Sequence, residues 1–168
     1  MVKEAISNKH ALITAIAAFR AMSGMTSRGG GISSSQGVQI ITSTSGVAEF
    51  KVRAGLELAV KVEIKGDKMY DFLGTLVDFV LPRMREFPGI VMPAPSATSN
   101  SVSAMSGVVA FGLPPTAMGL FPQVEINQDS YPRMHGFHMH FLTNAKGKGA
   151  QNRARALLSG FQIPFVRR

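Results

Sequence analysis

Cysteine and tryptophan are both absent from the 168 residues. Without cysteine there is no disulfide, no thiolate metal site and no cysteine nucleophile, and the redox compartment stays open. Charge is scarce as well: Asp, Glu, Lys and Arg make up 17% of the chain, below the roughly 25% of ordinary soluble domains. No run of about 20 apolar residues exists, so a spanning helix is not expected. Phe87 to Val124 carries no charge at all, yet Pro88, Pro93, Pro95, Pro114, Pro115 and Pro122 interrupt it and Ser99-Asn100-Ser101 fills its middle. The opening MVKEAISNKH has neither an apolar signal core nor an arginine, and does not read as a transit peptide.

The charges that are present are unbalanced. Lys and Arg number 18 against 10 acids, a net charge of +8. Such an excess favours a polyanionic partner, whether RNA, DNA or an anionic membrane face. The length suits one domain, residues 1–168, able to bury a core.

The clearest element begins after Gly66. Asp67 is placed as an N-cap, and Met69, Phe72, Leu73, Leu76, Val77, Val80 and Leu81 recur at helical spacing until Pro82 should stop the helix. Arg83 and Arg85 follow on the exit segment. Met1 to Gly24 predicts another helix, capped by Ser7 or Asn8, with Leu12, Ile13, Ile16 and Phe19 as its apolar face and Gly24 as its C-terminal stop. Residues 25–45 are Gly/Ser/Thr-rich and predict a loop or insertion holding a short strand at Val38–Thr42. Leu56 to Lys65 alternates, with Leu58, Val60, Val62 and Ile64 toward the core and Lys61, Glu63 and Lys65 on the other face. Residues 87–106 read as a Pro/Ala/Ser-rich loop, and Gly107–Leu113 as a strand. His135–Thr143 is a further strand, on which His138 and His140 share a face opposite to His135. Gln151–Ser159 is a helix closed by Gly160. Helices and strands without a βαβ rhythm predict an α+β fold, a mainly antiparallel sheet with helices packed on one face.

No catalytic or metal-binding constellation stands out. His138 and His140 lack a third ligand at useful spacing. The serines carry no nucleophile elbow, and Gly29-Gly30-Gly31 lacks the Lys-Ser/Thr of a phosphate loop. Neither an enzyme nor a bound cofactor is expected. Binding remains. Lys51/Arg53, Lys61/Lys65, Arg83/Arg85, Lys146/Lys148 and Arg153/Arg155 lie on several elements, a pattern suited to phosphates met at several points, with His138 and His140 available to splayed bases. No helix sets cations against large apolar residues, as a peripheral membrane protein would.

Four blocks stand out in order: Gly46–Gly55 (GVAEFKVRAG), Lys61–Ile90 (KVEIKGDKMYDFLGTLVDFVLPRMREFPGI), Phe121–Phe137 (FPQVEI through RMHGF) and Ala154–Phe165 (ARALLSGFQIPF). Together they resemble the universal large-subunit ribosomal protein L five family. The resemblance implies that family's α+β fold and a structural role in the central protuberance of the large ribosomal subunit. It would make Lys61, Lys65, Arg83, Arg85, Arg153 and Arg155 contacts to large-subunit rRNA. It would turn Thr44, Ser45, Lys51 and Arg53 toward P-site tRNA. It would set Glu125 and Asp129 against the small-subunit head and its protein S thirteen, beside neighbouring large-subunit proteins. The family plan has a further helix and strand before residue 1, so Met1 reads as an internal methionine. Glu63, Met25 and the uncharged Thr42–Ser45 depart from the family pattern, which speaks against 5S rRNA as a partner. That drift suggests the mitochondrial matrix and its ribosome, the bacterial cytoplasm being the alternative. A basic RNA-binding or assembly factor that is not a stoichiometric ribosomal component is the second functional reading.

Overall fold

The computed structural model describes residues 2–6, 8–25, 37–92 and 102–167. A 3-10 turn (Lys3–Ile6) leads into helix α1 (His10–Ser23). Asn8 Oδ1 accepts the His10 amide at 3.0 Å, relieving one unpaired donor at the helix start. Gly24, at φ 61°, ends the helix in the left-handed conformation. The helix is thus shorter than Met1–Gly24, and its expected apolar face needs correcting, since Ile13 is 59% exposed. The buried face is Ala11, Leu12, Ala15, Ala18 and Met22. Alanines let neighbours approach the backbone closely, so packing favours them here although their hydrophobicity is slight. Ser7, the other expected cap, lies outside the described residues.

Strands β1 (Gly37–Thr42) and β2 (Glu57–Glu63) pair antiparallel, with Val38 opposite Val62 and Gln39 opposite Lys61. Both strands match the sequence expectation, which for β2 rests on its alternation. The partners Ile40 and Val60 pack against Leu12, Ala15 and their neighbours, so the N-terminal half of α1 covers one face of this ladder. The Val2 amide adds a bond to the Leu58 carbonyl at 2.9 Å.

The long helix runs as α2 (Asp67–Thr75), a π-turn (Leu76–Val80) and α3 (Leu81–Arg83). Two expectations are corrected. Gly66 is the N-cap, at φ 71° and ψ −148°, and Asp67 is the first helical residue, where its charge meets the positive end of the dipole. Pro82 does not stop the helix, because Leu81 before it stays helical and its amide bonds the Leu76 carbonyl in the wide turn. That widening lies where a proline ring would otherwise press on the carbonyl four residues back. Leu73, Leu76, Val80 and Leu81 are buried, whereas Met69 of the expected stripe is exposed. Lys68 Nζ donates to the Gly24 carbonyl at 2.7 Å and ties this helix to the end of α1.

The stretch 87–106 is not all loop. Strand β3 (Ile90–Met92) sits within it, and helix α4 (Val102–Met105) follows, while residues 93–101 lie outside the described set. β4 (Val108–Leu113) precedes two short helices that open on proline, α5 (Pro115–Gly119) and α6 (Pro122–Glu125), then a 3-10 turn (Gln128–Ser130). β5 (Phe137–Leu142) pairs antiparallel with β4, bringing Val109, Phe111 and Leu113 opposite Phe141, Met139 and Phe137. α7 (Ala150–Gly160) buries Ala150, Ala154 and Leu158. Gly160 lies inside it, and the left-handed residue beyond is Gln162, at φ 65°.

β6 (Phe165–Arg167) returns to β3 as a parallel pair, Ile90 opposite Phe165. Three-residue strands this far apart leave no local periodicity, which is why the sequence does not announce them. Two antiparallel ladders and one parallel ladder, with helices against them, form the expected α+β architecture. The main core gathers Met22, the long helix, β3, β4, α5, α6, Leu158 and Ile163. At its centre Phe121, fully buried, stacks on Phe72 at 5.7 Å and meets Phe137 at 6.2 Å.

Candidate nucleic-acid interface

The pleat of β2 carries Glu57, Ala59, Lys61 and Glu63 to the face away from Val60 and α1. Lys61 is exposed and makes no ion pair among the described residues. Lys65 is different: its Nζ lies 2.7 Å from Glu63 Oε1. The hydrogen bond from Lys65 holds the Glu63 carboxyl below the ordinary carboxylate range; desolvation opposes it, and the charges of Lys65 and Lys61 add to it. Glu63 is therefore ionised at neutral pH, and the three charges sum to a single positive one.

The β1–β2 connection is ordered by its backbone. Val47 and Val52 exchange hydrogen bonds of 2.9 and 3.1 Å around a 3-10 turn (Ala48–Phe50), and Gly55 and Ser43 close its base at 2.8 Å. Lys51 sits at φ 54°, a left-handed position reached because its amide closes the turn on Ala48. Thr44, Ser45, Lys51 and Arg53 are all on this projecting tip, and Ser43 Oγ donates to the Ser45 carbonyl at 2.6 Å. Phe50 stands among them, 69% exposed. Sequence reasoning did not single it out, because a lone aromatic in a short loop carries no periodic signal.

Arg83 and Glu125, expected to face different partners, face each other. Arg83 Nη1 and Nη2 each donate to a Glu125 carboxylate oxygen at 2.7 Å, a two-bond clamp between α3 and α6. That bond raises the Arg83 pKa and lowers that of Glu125. Arg85 is exposed and enters no ion pair among the described residues, and Asp129 is exposed on the turn after α6. Spacing in sequence cannot show the clamp, since its partners are 42 residues apart.

On α7, Arg153 Nη2 donates to the Lys148 carbonyl at 3.3 Å and Arg155 lies 5.8 Å over the Phe165 ring. Lys146 and Lys148 lie on the preceding turn. His138 and His140 occupy the outer face of β5, opposite Gly112 and Ala110, with Leu142 opposite Val108. His135 is half-buried, and desolvation first, then nearby positive charge including Arg133, lowers its pKa. Among the described residues no group of three or more His, Cys, Asp or Glu is placed to hold a metal, and no helix is long and apolar enough to cross a membrane.

Residues 57–165 match the C-terminal part of the ribosomal protein L five family. Over 167 residues, 99% of this chain, it is 34% identical to the large ribosomal subunit protein uL5m of Schizosaccharomyces pombe, and it spans 50% of that protein's length. It is 30% identical to uL5m of Reclinomonas americana, covering 99% of this chain and 79% of the relative. It is also 30% identical to uL5 of Idiomarina loihiensis, covering 98% and 77%.

Proposed function

The chain belongs to the ribosomal protein L five family, and from that premise we propose that it is a structural constituent of the large ribosomal subunit of mitochondria, without catalysis of its own. The mitochondrial setting rests on the likeness to uL5m proteins. One observation supports RNA binding most directly: exposed cations that no carboxylate of the described chain neutralises lie on separate elements. Lys61 is on β2, Lys51 and Arg53 on the hairpin tip, Arg85 beyond α3. Each such cation, set against a phosphate, releases a condensed counterion.

Large-subunit rRNA is the ligand proposed for Lys61, Lys65, Arg85, Arg153 and Arg155. Arg83 serves mainly to hold α6, because Glu125 already neutralises its charge. The hairpin tip with Thr44, Ser45, Lys51 and Arg53 is assigned to P-site tRNA, with Phe50 available to stack on it. The acidic turn with Asp129, beside the clamped Glu125, is assigned to the small-subunit head. 5S rRNA is left out of the proposed partners because Glu63 and Met25 depart from the family pattern.

Sedimentation tests the reading. Tagged chain expressed in its own organelle should remain with large subunits at unit stoichiometry through a high-salt wash. Release into the soluble fraction would make it a loosely bound RNA-binding or assembly factor instead.

A further inference from the structure

The outer side of the long helix differs from the rest of the surface. Asp67, Tyr70, Asp71, Asp78 and Phe79 are exposed there, opposite the buried Leu73, Leu76, Val80 and Leu81. Asp78 and Phe79, consecutive exposed residues, lie within the π-turn. Three of the chain's 10 acids thus lie along a single helix side, in a protein of net charge +8. From Asp67 to Asp78 the helix rises about 16 Å at 1.5 Å per residue.

The cations of the same helix are directed elsewhere. Lys68 reaches to the Gly24 carbonyl, and Arg83 is held by Glu125. Among the described residues none of the three aspartates takes part in an ion pair. A solvated acidic face needs no explanation by itself, but this one also carries open rings. Of the four Phe and Tyr residues exposed among the described ones, Phe50, Tyr70, Phe79 and Phe161, two stand on this helix, at the two edges of its exposed arc, Tyr70 at 61% and Phe79 at 54%.

We propose that this face docks a Lys/Arg-rich segment of a neighbouring protein of the same subunit. Phosphate and anionic lipid are both repelled by three carboxylates. A basic segment places cations between the aspartates and over the ring faces, and its aliphatic stems cover the rings. The helix then separates two kinds of partner, nucleic acid on the cationic surfaces and basic protein here. The inference rests on the proposed place in the large subunit, so its test has one arm that depends on that place and one that does not.

In the first arm, the isolated chain is mixed with an arginine-rich synthetic peptide and, separately, with an rRNA transcript, and hydroxyl-radical oxidation of Tyr70 and Phe79 is read by mass spectrometry. The peptide should lower oxidation of both rings at least threefold and the transcript should not. Asp71→Asn with Asp78→Asn should abolish that protection while leaving the thermal unfolding curve in place. In the second arm, intact large subunits are treated with a zero-length carbodiimide coupler, which should join Asp71 or Asp78 to a lysine of another protein. Equal oxidation with and without peptide, protection by the transcript, or coupling only to a second copy of this chain would each overturn the proposal. Failure to sediment with the subunit would remove the ribosomal reading and leave the first arm to decide the docking chemistry.

Discussion

Lys61, Glu63 and Lys65 offer the sharpest test of how the β2 face meets RNA. Among the described residues Lys61 forms no ion pair, whereas Lys65 is held 2.7 Å from Glu63. Each phosphate neutralised contributes about 0.7–0.9 to the slope of log affinity against log salt. Lys61→Ala should therefore flatten the slope by about that amount. From about 50 to 200 mM salt, a change of roughly 0.6 in log units, the advantage of the native chain over the variant should shrink about threefold. Lys65→Ala removes the same formal charge, but one already neutralised, so its effect on slope should be smaller. Glu63→Gln should do the reverse of both, removing the one opposing charge beside Lys61, steepening the slope by up to about 0.9 and raising affinity at low salt. Fluorescence anisotropy with a labelled large-subunit rRNA transcript, titrated with salt, reads all three. If Lys61→Ala keeps the native slope, or Glu63→Gln fails to steepen it, this face does not lie on phosphates.

Other outcomes follow from the same geometry. Arg83→Ala should leave the Tm nearly unchanged, because an exposed pair contributes little to global stability, while amide exchange at Val124 and Ile126 quickens as α6 loses its clamp. Gly107→Ala should be severe: φ is 61° and the new Cβ would fall 2.4 Å from the Ala145 carbonyl oxygen and 2.9 Å from Thr143 Oγ1. A loss on the order of 2–4 kcal/mol is expected, read as a lower urea midpoint at unchanged m value. For His135 the folded pKa lies below the unfolded one. Below about pH 6.5 the unfolded chain therefore binds more protons, so stability is complete above that value and declines as pH falls. His135→Gln should flatten that decline in a series of melts between about pH 7 and 5.

Much of this was legible from residue order, because period-two and period-3.6 patterns are local. The Val38–Thr42 and Leu56–Lys65 strands, the Gly24 stop and the shared face of His138 and His140 all depend on neighbours a few positions away. Where the pattern misled, packing outweighed propensity. Ile13 looks like core and is exposed, while the buried side of α1 is mostly alanine. Pro82 looks like a stop and is not, since a π-turn before it makes room for its ring. Among the candidate contacts, the side of the β2 strand that carries Lys61 could be deduced, but the neutralisation of Lys65 required side-chain placement.

By itself, then, the order of residues determined which segments coil or extend, which face of each turns inward, and a cationic balance that favours a polyanion. Tertiary structure alone decided which charges remain available to that polyanion. It set Arg83 against Glu125, took Lys68 to the end of α1, and left three aspartates and two rings together on an open helix side. The reason is physical: backbone preference is fixed within a few residues, whereas the field around a charged group depends on whatever remote residue the folded chain brings within a few ångströms of it.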